Sequence, residues 1–114
     1  MKEVRAIIRP QKVNRVRDAL RDIPNFPGVT FIKAEGFTAP ASVGPRSIAE
    51  ELTDFVPKVV VSVICSDDMA DAIEKTIIEN GSTGQIGDGL VWTLPIAEVR
   101  RVRNGTVMNL DSGD

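Results

Sequence analysis

The chain is predicted to fold as an α+β sandwich in which two helices cover one face of a four-stranded antiparallel sheet. Three observations carry this expectation. Strand and helix patterns alternate as strand–helix–strand twice over, in two halves of about 50 residues each. Each helical segment has a single apolar stripe, so each can cover a sheet from one side only. The 114 residues are 42% hydrophobic, enough for one core without metal or disulfide staples.

Met1 to Arg9 contains Val4, Ala6, Ile7 and Ile8 and reads as a short buried strand. Pro10 suits a first helical turn, where its missing N–H would be unpaired anyway. From Gln11 onward, Val13, Val16, Ala19, Leu20 and Ile23 recur at offsets of three and four, with Arg15, Arg17, Asp18 and Arg21 outside the stripe. Pro24 and Pro27-Gly28 end that helix. Val29 to Phe37 is the second strand, Val29, Phe31 and Lys33 alternating with Thr30 and Ile32.

The composition then shifts. Thr38 to Thr53 holds two prolines and no aromatic residue, and loops this long in small domains tend to be functional, a connection without a role being the alternative. Ser47 followed by Glu50 is a capping-box pattern within it. Phe55 to Cys65 is the third strand, and the near-continuous Val59, Val60, Val61, Val63 and Ile64 predict burial on both faces. Ser66-Asp67-Asp68 reads as an N-cap cluster whose carboxylates suit the positive end of a helix dipole. Met69, Ala72, Ile73, Thr76 and Ile77 form the second apolar stripe, and Asn80-Gly81 is its stop. The last strand runs from Leu90 to Arg103, broken or bulged at Pro95, and a frayed polar tail begins at Asn104. This order is the ferredoxin-like βαββαβ arrangement. The strands of the second half are apolar on both sides, so a partner subunit is expected over the open sheet face.

Composition excludes much chemistry. Fourteen basic residues stand against sixteen acidic ones, net −2, which argues against nucleic acid as a partner. With no His, the usual neutral-pH base and every Ser-His or Cys-His triad are missing. One Cys and no His also remove the common structural zinc sites, so neither a catalytic residue nor a metal ligand is assigned. Cys65 has no partner within the chain, which fits a reducing compartment. No apolar run approaches the roughly 18 residues of a membrane span, and no signal-peptide core is present. A cytoplasmic protein without membrane insertion is expected.

The most informative stretch is Thr83-Gly84-Gln85-Ile86-Gly87-Asp88-Gly89. Its glycines let the backbone turn tightly and aim several N–H groups at one anion. Leu90 stands where a Walker loop would carry its Lys, and the segment follows a helix and precedes a strand, the reverse of a Rossmann fingerprint. A plain helix-to-strand turn explains the glycines equally well. In an extended strand Arg101 and Arg103 would point to one side and could close on a phosphate, with Arg100 facing away; a solvated strand end is the competing account. Gly36-Phe37 ends the second strand and permits close approach of a ligand. Cys65 reads as a small buried hydrophobe, and Trp92 as a core or subunit-interface residue.

Five of these pieces, in order, resemble the P-II signal-transduction family of nitrogen regulators. They are Ala6-Ile7-Ile8-Arg9-Pro10, Gly36-Phe37, Asp54-Phe55-Val56-Pro57-Lys58, the Thr83–Gly89 loop and Arg101-Val102-Arg103-Asn104-Gly105. The likeness covers about residues 1–105, which it implies form one domain, with 106–114 as a tail and 38–53 as the family's T-loop. It implies a homotrimer that binds ATP, ADP or AMP, with Mg²⁺, in clefts between subunits. Gly87 and Gly89 would offer N–H groups to phosphates in a loop shaped by Gly84 and Ile86 and containing Asp88. Arg101 and Arg103 would reach in from the adjacent subunit. Ile7, Gly36, Phe37, Ile64 and Thr83 would line the adenine and ribose side, and Lys58 the mouth.

The resemblance further implies control of a target transporter or enzyme through the T-loop, with Arg46, its only basic residue, as the expected contact. Leu90 and Gln85 replace two lysines of the family's loop, which disfavours a triphosphate. The T-loop lacks the family's Gln, which counts against 2-oxoglutarate. With no Tyr in the chain, uridylylation of a T-loop tyrosine is excluded, and the sequence leaves open whether Ser42 or Ser47 is modified. The competing readings are a slow ATPase relying on Asp88, and a similar trimer that senses another small anion or metabolite.

Overall fold

The computed structural model describes residues 1–37 and 55–109. Its strands are β1 (Lys2–Ile8), β2 (Thr30–Gly36), β3 (Val56–Cys65) and β4 (Leu90–Pro95), and its helices α1 (Val13–Arg21) and α2 (Ala70–Gly81). The sheet is antiparallel throughout, in the order β2-β3-β1-β4. The two helices pack against each other on one face, as the alternation of patterns predicts.

Strict alternation in the central strands decides which face is the core. Val4, Ala6 and Ile8 of β1 and Val59, Val61, Val63 and Cys65 of β3 point under the helices and are buried. They meet Val16 and Leu20 of α1 and Ala70, Ile73 and Ile77 of α2. Cys65 is fully enclosed, and burial pushes its thiol above the ordinary range, so it is an inert core residue as expected. Val60 and Ile64, on the other face of β3, are only half-buried within one chain, so the double burial expected of this strand is not reached by a single copy.

Several boundaries differ from expectation, each for a local reason. Both helices are entered through a 3₁₀ turn, Pro10–Lys12 and Asp67–Met69. Ser66 makes no side-chain cap: its carbonyl accepts the Met69 N–H at 3.2 Å, and Asp67 turns away to pair with the Met1 ammonium at 2.9 Å. The buried stripe of α2 is therefore Ala70, Ile73, Ile77 and Gly81, while Ala72 is exposed. Gly81 does not stop the helix but ends it from within. It is buried where a Cβ would touch methyls of Ile8 and Val16, and Asn80 folds back to donate to the Thr76 carbonyl at 2.8 Å.

The largest correction concerns the last strand. β4 ends at Pro95 rather than Arg103, because β1, its one neighbour among the described strands, runs out there: Lys2 pairs with Pro95, and Ile96 N–H donates to the Met1 carbonyl. Beyond it, Arg100 bridges Val107, and residues 101–105 form a turn closed by the Gly105 N–H on the Arg101 carbonyl at 2.8 Å. Arg101 and Arg103 thus lie in a turn, not side by side on a strand. Asn104 is likewise tied in, its side chain accepting from the Thr106 N–H and hydroxyl. The capping pattern at Ser47 and Glu50 lies outside the described residues, as do Asp54, Arg46 and Ser42.

Candidate functional site

The loop between α2 and β4 is organised by one carboxylate. Asp88 accepts four hydrogen bonds: from the Thr83 N–H at 2.7 Å, the Thr83 hydroxyl at 2.5 Å, the Gly84 N–H at 2.9 Å and Arg9 Nε at 2.9 Å. The Thr83 hydroxyl, the Arg9 guanidinium and the backbone donors hold its carboxyl well below the usual carboxylate range. Arg9 also donates to the Ile86 carbonyl at 3.1 Å, and Lys58 Nζ to the Gly87 carbonyl at 3.2 Å. Two cations thereby hold loop carbonyls from the sheet side. Positive φ angles at Gly84, Gly87 and Gly89 give the chain the turns this requires.

Asp88 is a clamp, and its engagement leaves no free carboxylate there to orient a water. Changing it to Asn removes the charge and turns a donor toward other donors. The expected result for Asp88→Asn is at least about tenfold faster amide exchange at Thr83 and Gly84, with the sheet amides unchanged. The pH dependence has a definite sign. A lowered native pKa means that the clamp is complete above the unfolded carboxylate value of about 3.9 and opens only as pH falls through the lower native one. Protection at Thr83 and Gly84 should therefore be flat from pH 7 to about pH 5, and persist below it.

Beside this loop, on the sheet face away from the helices, a cleft of about 300 Å³ is lined by Ile7, Gly36, Phe37, Lys58, Gly87, Gly89 and Leu90. Six residues named from the sequence as ligand contacts thus share one cavity. The register explains the convergence. Ile7 pairs with Leu90 and with Val60, and Ala34 with Lys58, so the end of β1, the start of β4 and the root of the β2–β3 connection meet at one end of the sheet. Phe37 and Phe55 close that root edge to face, with ring centroids 5.3 Å apart.

The other candidates lie elsewhere. Thr83, Gly84 and Asp88 sit on the inner side of the loop's hydrogen-bond network, and Ile86 projects outward, 79% exposed. Ile64 is on the same sheet face as Lys58 but six residues further along β3, roughly 20 Å away. Arg101 and Arg103 follow β4, which leaves the sheet at the end opposite the cleft. Arg9 is the residue sequence reasoning did not place in the site. No local pattern signals it, because its partner Asp88 lies 79 positions away in the sequence.

The family model described as Nitrogen regulatory protein P-II matches residues 1–106. The chain belongs to the P-II family. Its relatives include the nitrogen regulatory protein P-II of Klebsiella oxytoca and P-II 1 of Escherichia coli K12. Each is 37% identical over 108 residues, spanning 92% of this chain and 94% of the relative. Among solved structures, Arabidopsis thaliana PII bound to citrate superposes with a TM-score of 0.75 at 33% identity, over 96% of this chain and 86% of that one. The P-II match agrees with the ferredoxin-like architecture described above. Among the described residues of this P-II chain, no helix is long and apolar enough to cross a membrane.

Proposed function

We propose that this P-II protein is a non-enzymatic, cytoplasmic homotrimer that binds an adenine nucleotide at the 83–89 loop and signals its state to a target transporter or enzyme. The observation that carries the reading is the clamped loop, with Gly87 and Gly89 forming the wall of a cleft whose remaining lining is largely apolar. Backbone N–H groups held in place before the ligand arrives suit a phosphate, and Ile7, Phe37 and Gly36 suit a flat base.

One chain supplies only part of such a site. Ile64, Arg101 and Arg103 lie away from their own cleft, so in this reading a neighbouring copy brings them to it. Residues 1–105 would carry the site, and 106–108 are tied back to them through the Arg100–Val107 bridge and the Met108 N–H on the Val99 carbonyl before the tail begins. Bound nucleotide would bias the conformation of residues 38–53, with Arg46 meeting the target. Different nucleotides would shift that equilibrium only by their differential affinity for each conformation.

Calorimetric titration with AMP, ADP and ATP, each with and without Mg²⁺ and 2-oxoglutarate, tests this. One saturable site per chain is expected, lost in Arg101→Ala and Arg103→Ala, with little response to 2-oxoglutarate. Absence of binding by all three nucleotides would overturn the assignment and direct the search to other small anions.

A further inference from the structure

The sheet face away from the helices has a layered chemistry. Cross-strand register places Ile32, Val60, Ile7 and Leu90 in one row and Ile64, Glu3 and Leu94 in another, with Thr30, Ser62, Arg5 and Trp92 between them. Ile32, Leu90 and Leu94 are 48%, 70% and 42% exposed, so a single chain leaves much of this apolar surface in water. At its centre stands one acid and one base. Glu3 accepts the Ser62 hydroxyl at 2.6 Å, and Arg5 Nε lies 3.7 Å from that same carboxylate oxygen, a loose ion pair within the chain that is too long for a hydrogen bond. Arg5 Nε is shielded from solvent and has no hydrogen-bond acceptor.

We propose that Arg5 and Glu3 pair between subunits, Arg5 of one copy with Glu3 of the next, forming an ionic ring that sets the register of the trimer. The inference rests on the trimeric reading given above. The occupant of this face is a second copy because the patch is complementary to itself: it carries both charges inside an apolar surround. An Arg5 Nε already shielded, without a hydrogen-bond acceptor and only loosely paired to its own Glu3, is the group that further burial would penalise unless the partner supplied a closer carboxylate. In a ring of three, the contact of residue i with residue j repeats at every interface and closes. Apolar burial would supply most of the association, and the charges would reject shifted or inverted pairings.

Mixing two charge-reversal variants separates pairing between copies from pairing within one. Arg5→Glu carries two acidic groups on the face and Glu3→Arg two basic ones, so each alone should lose trimer by at least about tenfold in subunit concentration. Mixed, they should form heterotrimers by native mass spectrometry, since two of the three interfaces become complementary. A contact made only within each chain could not be rescued by mixing. Wild-type trimers joined by variants that each assemble normally, or that fail to rescue one another, would overturn the ring. A wild-type monomer would instead overturn the trimeric reading beneath it. Should either reversal unfold, Arg5→Met replaces it: the ring requires salt-dependent dissociation of the wild type and a weaker dependence in this variant, and equal dependence would overturn it.

Discussion

Replacing Gly89 by alanine is expected to unfold the junction between the 83–89 loop and β4. Its φ is +114°, a region L side chains rarely adopt, and a Cβ there would lie 1.7 Å from the Ile7 carbonyl oxygen. That oxygen belongs to the backbone of β1 and cannot swing aside, and Ile7–Leu90 is the end pair of the β1–β4 ladder. Backbone strain of about 1–3 kcal/mol adds to overpacking of about 1–3 kcal/mol, so denaturant unfolding should show a loss of roughly 3 kcal/mol or more. Gly84→Ala is the internal comparison. Its φ of +81° is also positive, but nothing lies within 4 Å of its Cβ position, so only about 1–2 kcal/mol of backbone strain is expected. Equal effects of the two changes would refute a steric role for Gly89.

The second large effect is a gain. Leu90 lines the cleft and is 70% exposed, so a longer polar side chain can be accommodated there without disturbing the core. Leu90→Lys places an ammonium beside the loop that would receive the phosphates. Charge-assisted contacts of roughly 1–3 kcal/mol should raise ATP affinity about 5- to 150-fold, ADP less and AMP least. The gain should shrink with added salt, and Leu90→Met should reproduce none of it. Equal gains for all three nucleotides would mean that residue 90 does not face the terminal phosphates.

The elements whose positions could be read from the sequence are those governed by local rules. The β-branched run of β3, the offsets of α1 and Pro10 at a first turn each depend on near neighbours, and each proved correct in kind. The errors arose where a distant segment decides. β4 stops at Pro95 because β1 begins at Lys2, and Arg9 joins the local Thr83 and Gly84 donors on Asp88 from 79 positions earlier. Ala72 flanks the stripe of α2 rather than joining it: Ala70, Ile73, Ile77 and Gly81 recur at offsets of three and four, and which flank of that row is covered depends on where α1 lies against it. The cleft itself was legible as a set of residues but not as one place. Ile64 and the two arginines share its motif pattern while standing elsewhere on the same chain.

The edge-to-face pair of Phe37 and Phe55 has a consequence for how such proteins diversify. Together with the Gly36–Val56 ladder pair beside it, it fastens the two ends of the intervening stretch to each other and so makes what lies between them an interchangeable cassette. With the gap between the ends already closed, doubling the cassette's length costs only about 0.6 kcal/mol in chain entropy. Its sequence can then change while the register of the sheet and the shape of the cleft stay as they are.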